Sequence, residues 1–99
     1  MNATGLKALT DLSLYLITDR HQTLGRNLTE VVRKALEGGV RAVQLREKDL
    51  SSGKLFRLAE ELRRLTSEYD ARLIINDRLD IALAVEADGV HVEIRKSVV

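Results

Sequence analysis

Four short apolar runs alternate with three stretches of helical spacing, and this alternation limits the fold more than any other feature of the 99-residue chain. Leu14-Tyr15-Leu16-Ile17-Thr18 is apolar, too short for a helix, and stopped by Asp19-Arg20, so it reads as a buried strand. After a polar, glycine-containing loop at 21–26, Asn27 opens a helix with Glu30 placed as in a capping box. Leu28, Val31, Val32, Ala35 and Leu36 share one face of that helix, and Gly38-Gly39 closes it, because glycine enters the left-handed position past a helix end at low cost.

Val40 to Arg46 forms the second strand. Val43 and Leu45 point to one side, Gln44 and Arg46 to the other. Ser51 or Ser52 caps a second helix, whose buried positions are Leu55, Leu58, Ala59, Leu62 and Leu65, with Tyr69 one turn further on. Arg57, Arg63 and Arg64, beside Glu60, Glu61 and Glu68, read as its solvent face. Arg72 to Asn76 is the third strand. Asp77 is placed to cap a short third helix with Ile81, Ala82 and Val85 inward, and Gly89 to about Val92 is the fourth strand. A βαβαβαβ order implies a parallel sheet with right-handed crossovers, one α/β domain over 1–99 with an N-terminal extension (1–13) and a divergent tail (93–99). Leu16-Ile17-Thr18-Asp19-Arg20 and Ile74-Ile75-Asn76-Asp77-Arg78 echo one another at two strand ends, a faint sign of a repeated unit.

Composition removes several classes of function. Sixteen basic against fifteen acidic residues leave a net charge of +1, unlike a dedicated nucleic-acid binder, and three aromatics offer little stacking surface. The absence of cysteine excludes disulfides, thiolate metal sites and a cysteine nucleophile. No apolar run approaches the roughly 20 residues of a membrane span. Met1 to Thr10 lacks the apolar core of a secretory signal, so a cytoplasmic location is expected. Dinucleotide, Walker-type and zincin motifs are missing as well.

Chemistry gathers instead at the carboxyl ends of the strands, where parallel α/β folds bind ligands. Gln44, Arg46 and Lys48 recur at period two. Asn76 and Asp77 end strand three, and His91 and Glu93 end strand four. Arg46 offers a fork for phosphate oxygens, Lys48 a point charge and Gln44 a neutral donor, while Asn76 and Asp77 are hard oxygen ligands of the kind Mg²⁺ accepts. Taken singly, each has a plainer reading. Gln-Arg-Glu-Lys is a solvated strand end, Asn-Asp a helix cap, His91 a packed histidine. The convergence of three loops at one end favours an oxyanion with a divalent cation.

Tyr15-Leu16-Ile17-Thr18-Asp19-Arg20, Val43-Gln44-Leu45-Arg46-Glu47-Lys48, Ile75-Asn76-Asp77-Arg78 and Asp88-Gly89-Val90-His91 resemble, in order and spacing, the N-terminal half of the thiamine phosphate synthase family. The resemblance implies a (β/α)8 barrel that joins hydroxymethylpyrimidine diphosphate to a thiazole phosphate with Mg²⁺, releasing diphosphate. It implies that Gln44, Arg46, Lys48 and Asn76 hold the diphosphate and that Asp77 binds the metal. Related thiazole tautomerases tend to lack the full Arg-Glu-Lys and Asn-Asp set, so Lys48 and Asp77 point to the synthase side.

Two features depart from the family. Val92-Glu93-Ile94-Arg95-Lys96 stands where it has a Leu-Gly-Gln-x-Asp type of segment, which puts Lys96 in place of a second Mg²⁺ ligand. A whole barrel takes about 250 residues, so half a barrel is expected here. Its inner face, made of Leu16, Thr18, Gln44, Arg46, Ile74 and Asn76 or the alternate set, would then be open and its outer strands unpaired, which implies a homodimer or higher homo-oligomer. Three roles follow from this: a synthase-like transferase completed by assembly, a phosphate or diphosphate binder without turnover, or a remnant that only folds and oligomerises.

Overall fold

The computed structural model describes residues 14–93. The expected N-terminal extension, the tail beyond Glu93 and Lys96 lie outside the described residues. Strands β1 (Tyr15–Ile17), β2 (Ala42–Leu45), β3 (Arg72–Asn76) and β4 (Gly89–His91) alternate with helices α1 (Leu28–Glu37), α2 (Ser52–Glu68) and α3 (Leu79–Ala84). The strands form one parallel sheet in the order β1-β2-β3-β4, so the α/β fold with sequential crossovers stands as expected. β1 is shorter than its apolar run, but Arg41 N–H donates to the Leu14 carbonyl and Thr18 N–H to the Gln44 carbonyl, which carries the pairing past both its ends.

Local chemistry sets the helix ends. The Asn27 side chain accepts from Thr29 N–H, not from Glu30, and Ser51 rather than Ser52 caps α2 by accepting from Lys54 N–H at 3.3 Å. Gly39, at φ +108°, makes the left-handed turn out of α1. The expectation for α3 fails. Arg78 takes the cap position with no side-chain cap bond, and Asp77 sits one residue earlier at φ +61° with its carboxylate turned toward β4.

The side chains of β2 and β3 alternate. Val43, Leu45, Leu73 and Ile75, none more than 1% exposed, pack under the helices with Val32, Leu36, Leu55, Ala59, Leu62 and Leu65. Thr66 joins them because its hydroxyl donates to the Leu62 carbonyl at 2.8 Å, which satisfies it inside α2. Arg63 is not a solvent-face residue. Its guanidinium donates to the Glu86 carbonyl and to Asp88 Oδ2, pinning α2 to the segment that enters β4.

The other face carries no helix among the described residues. Parallel partners in register share a face, so Ile17 lies beside Gln44, Gln44 beside Ile74, and Asn76 beside His91. Leu16 pairs with Val43 and packs against the core, while Thr18 is buried. Of the two alternates for β1, Tyr15 and Ile17 therefore occupy the open face, not Leu16 and Thr18. No helix among the described residues is long and apolar enough to cross a membrane.

Candidate functional site

Every strand of a parallel sheet delivers its following loop to the same rim. The carboxylate of Glu93, just past β4, gathers donors there from the end of β2, the loop after it and β3. Arg46 Nε donates to Oε1 at 3.1 Å, Lys48 Nζ to Oε2 at 2.6 Å, and Asn76 Nδ2 to Oε1 at 3.4 Å. Lys48 first, then Arg46, with Asn76 assisting, hold the Glu93 carboxyl down at about 2, well below the ordinary range. Both cationic side chains are nearly half exposed. β2 ends at Leu45, so the period-two strand expected to align Gln44, Arg46 and Lys48 stops short of Lys48; Arg46 and Lys48 nonetheless meet on one carboxylate, while Gln44 bonds Asn76 and Tyr15. The Arg46 backbone is fixed from β1, its N–H donating to the Thr18 hydroxyl at 3.0 Å.

Gln44 and Asn76 are polar side chains buried on the open face. Asn76 Nδ2 donates to Gln44 Oε1 at 3.1 Å, and Gln44 Nε2 donates to the Tyr15 hydroxyl. Gln44 therefore spends its amide on holding Asn76 and Tyr15, and Asn76 carries the chain of bonds out to the rim. Sequence reasoning did not single out Tyr15. Its place beside Gln44 follows only from the register of β1 on β2.

Asp77 braces the same rim. Its N–H donates to the His91 carbonyl and its Oδ1 accepts from Glu93 N–H, both at 2.8 Å. These two bonds tie the loop after β3 to the end of β4, and aspartate tolerates the left-handed backbone this requires. With Lys48 and Asn76, Asp77 lines a cleft of about 290 Å³. Among the described residues, no three histidine, aspartate or glutamate side chains gather as a metal cage. Asp77 is a single carboxylate beside the cationic donors of the rim.

A second network, also missed from sequence, ties the loop after β1 to the loop after β2. The buried Glu47 carboxylate accepts Arg20 N–H through both oxygens at 3.2 Å, and Arg20 Nε lies 3.4 Å from it. Arg20 Nη2 reaches Asp49 at 2.6 Å, and His21 Nε2 lies 2.9 Å from the same carboxylate. His21 and Arg20 hold Asp49 below its usual range. The available signal was the phase of β2, which puts Glu47 with Leu45 on the helix side, where a carboxylate needs partners.

The chain is similar to proteins of known families over nearly all of its described length. A Geobacter sulfurreducens relative is 66% identical over 84 residues, spanning 85% of this chain and 39% of that protein. The thiamine-phosphate synthase of Syntrophomonas wolfei is 56% identical over 82 residues, 83% of this chain and 39% of that protein. Among solved structures, a thiamine phosphate pyrophosphorylase from Pyrococcus furiosus superposes with a TM-score of 0.72 at 47% identity, covering 77% of this chain and 36% of that one. The chain thus spans about 39% of the length of these curated relatives. Since the model of the thiamine monophosphate synthase family also matches residues 14–98, this chain belongs to that family.

Proposed function

We propose that Arg46, Lys48 and Asn76, with Gln44 behind them, form the diphosphate-holding rim of a thiamine phosphate synthase-type transferase, which joins hydroxymethylpyrimidine diphosphate to a thiazole phosphate and releases diphosphate. The observation that carries this reading is the convergence of donors from β2, the loop after it and β3 on a single carboxylate, an oxyanion of the chain's own. A guanidinium, an ammonium and an amide at one point match the spread charge of a diphosphate, and they stabilise it more as it departs with growing negative charge. Asp77 would hold Mg²⁺ together with diphosphate oxygens, and the cation would supply neutralisation of the leaving group. Asp77 itself keeps the end of β4 in register with the rim.

Calorimetric titration with pyrophosphate, with and without Mg²⁺, tests the reading. Arg46→Ala is expected to weaken binding by about tenfold or more, the loss of one charge-assisted pair. Binding that survives Arg46→Ala unchanged would remove the proposal. A coupled assay with both substrates then separates transfer from binding alone, since a rim that binds pyrophosphate without turnover is a binding module.

A further inference from the structure

We infer that Glu93 is a built-in competitor for the diphosphate, a carboxylate seated on the donors an incoming oxyanion needs. The inference rests on the reading of the rim as a diphosphate site and concerns how that site is entered. Three observations carry it. The Glu93 carboxylate engages Arg46, Lys48 and Asn76 together, through both of its oxygens. Its backbone is anchored independently, because Glu93 N–H donates to Asp77 Oδ1, so the side chain can leave the rim while the end of β4 stays in place. The ion pairs are partly exposed, with about a quarter of the Glu93 side chain accessible and more of Arg46 and Lys48, so solvent and a small anion reach them.

A carboxylate carries one negative charge and two acceptor oxygens, and a diphosphate carries more of both. The diphosphate therefore wins the exchange, at the cost of displacing Glu93. This makes the site selective. Singly charged anions such as acetate or nitrate gain nothing over the resident carboxylate, whereas a polyanion brings more charge and more acceptor oxygens to Arg46 and Lys48 than Glu93 does. Glu93 also offsets one of the two positive charges of Arg46 and Lys48, which weakens indiscriminate anion binding.

The test is titration of wild type, Glu93→Gln and Asp49→Asn with pyrophosphate in the absence of divalent cations. Glu93→Gln keeps the shape and removes the competing charge. Asp49→Asn removes a carboxylate from the same rim, one that pairs with Arg20 and His21 instead. The inference expects Glu93→Gln to bind pyrophosphate about tenfold tighter than wild type, to begin binding acetate measurably, and Asp49→Asn to stay within about twofold of wild type. Equal tightening in both variants would mean a general field effect and would overturn it. Binding by wild type that Glu93→Gln leaves unchanged would overturn it too, with the diphosphate reading intact. No binding in wild type or Glu93→Gln would remove that reading and the inference with it.

Discussion

The two faces of the sheet are built from the same strands and obey opposite rules. In β3, Leu73 and Ile75 face the helices and are wholly buried, while Ile74 and Asn76, between and beside them, face the open side. On the covered face every side chain of β2 and β3 is aliphatic. On the open face buried amides sit next to exposed apolar groups, Gln44 and Asn76 beside Ile17 at 50% exposure and Tyr15 at 37%. A sheet covered by helices on both sides would carry aliphatic residues throughout. Strands that alternate therefore divide their labour by parity, with one set holding the fold and the other presenting a hydrogen-bonded path from Tyr15 through Gln44 and Asn76 to the rim. A substitution at one position and a substitution at its neighbour should report on different properties.

The largest effect is expected on the covered face. Leu73→Ala leaves a cavity among groups that cannot close over it, and a loss of about 2–5 kcal/mol is expected, read as a lower denaturation midpoint with an unchanged slope. Ile74→Ala, one residue on, should cost clearly less. Equal losses would mean that the open face is packed in solution as tightly as the covered one.

Ile17→Glu asks what covers the open face. We propose a second copy of the chain as the cover, because β1 and β4 each have one strand neighbour among the described residues and apolar groups lie between them. On a bare face the substitution should change stability by no more than about 0.5 kcal/mol. Against a second copy it should shift sedimentation from oligomer to monomer at micromolar concentration and cost several times more. A wild-type chain that already sediments as a monomer at that concentration would sink the expectation of self-association.

Gln44→Leu tests the polar path. It deprives Asn76 Nδ2 of its closer acceptor and leaves the Tyr15 hydroxyl without its donor, for an expected cost of about 1–3 kcal/mol. Pyrophosphate affinity should fall as well, though less than for Arg46→Ala, because Gln44 acts on the rim through Asn76. A stable variant with unaltered affinity would make the buried amides incidental to the site.

Element order, sheet parity and the rim were legible because each rests on local periodicity. Val43 and Leu45 against Gln44 and Arg46 is a period of two, and a parallel topology then brings the loops to one end. Others escaped because they depend on partners far away in the chain. The phase of β1 is ambiguous in a run of apolar residues and is settled only by pairing with β2, which is why Tyr15 was overlooked. Arg63 sits at a solvent-type position of α2, but the segment entering β4 brings Asp88 to it. Asp77 has the spacing of a cap, yet the backbone turns left-handed there and its carboxylate serves β4 instead. The echo between the Asp19-Arg20 and Asp77-Arg78 strand ends is likewise one of sequence more than of contacts. Arg20 pairs with Glu47 and Asp49, whereas Arg78 pairs with Asp80.

The smallest effect concerns Asp88, which closes the opposite end of the sheet from the rim. Burial would raise its pKa, but Leu73 N–H, donating at 2.7 Å, and the Arg63 guanidinium outweigh this and hold it below the ordinary value of 3.8. The native state therefore binds this proton less readily than the unfolded chain. Its contribution to stability is present in full above the unfolded value and is lost as pH falls through the lower folded one. About a third of the side chain remains accessible, so screening limits the contribution to about 1 kcal/mol or less. Asp88→Asn should leave the stability difference between pH 5 and pH 3 smaller than in wild type by that amount, with pyrophosphate affinity untouched. A variant that follows the wild-type pH profile would show that Leu73 and Arg63 bind the neutral side chain as well as the charged one. A variant that loses pyrophosphate would show that the two ends of the strands are coupled, and the division of labour between fold and rim would have to be redrawn.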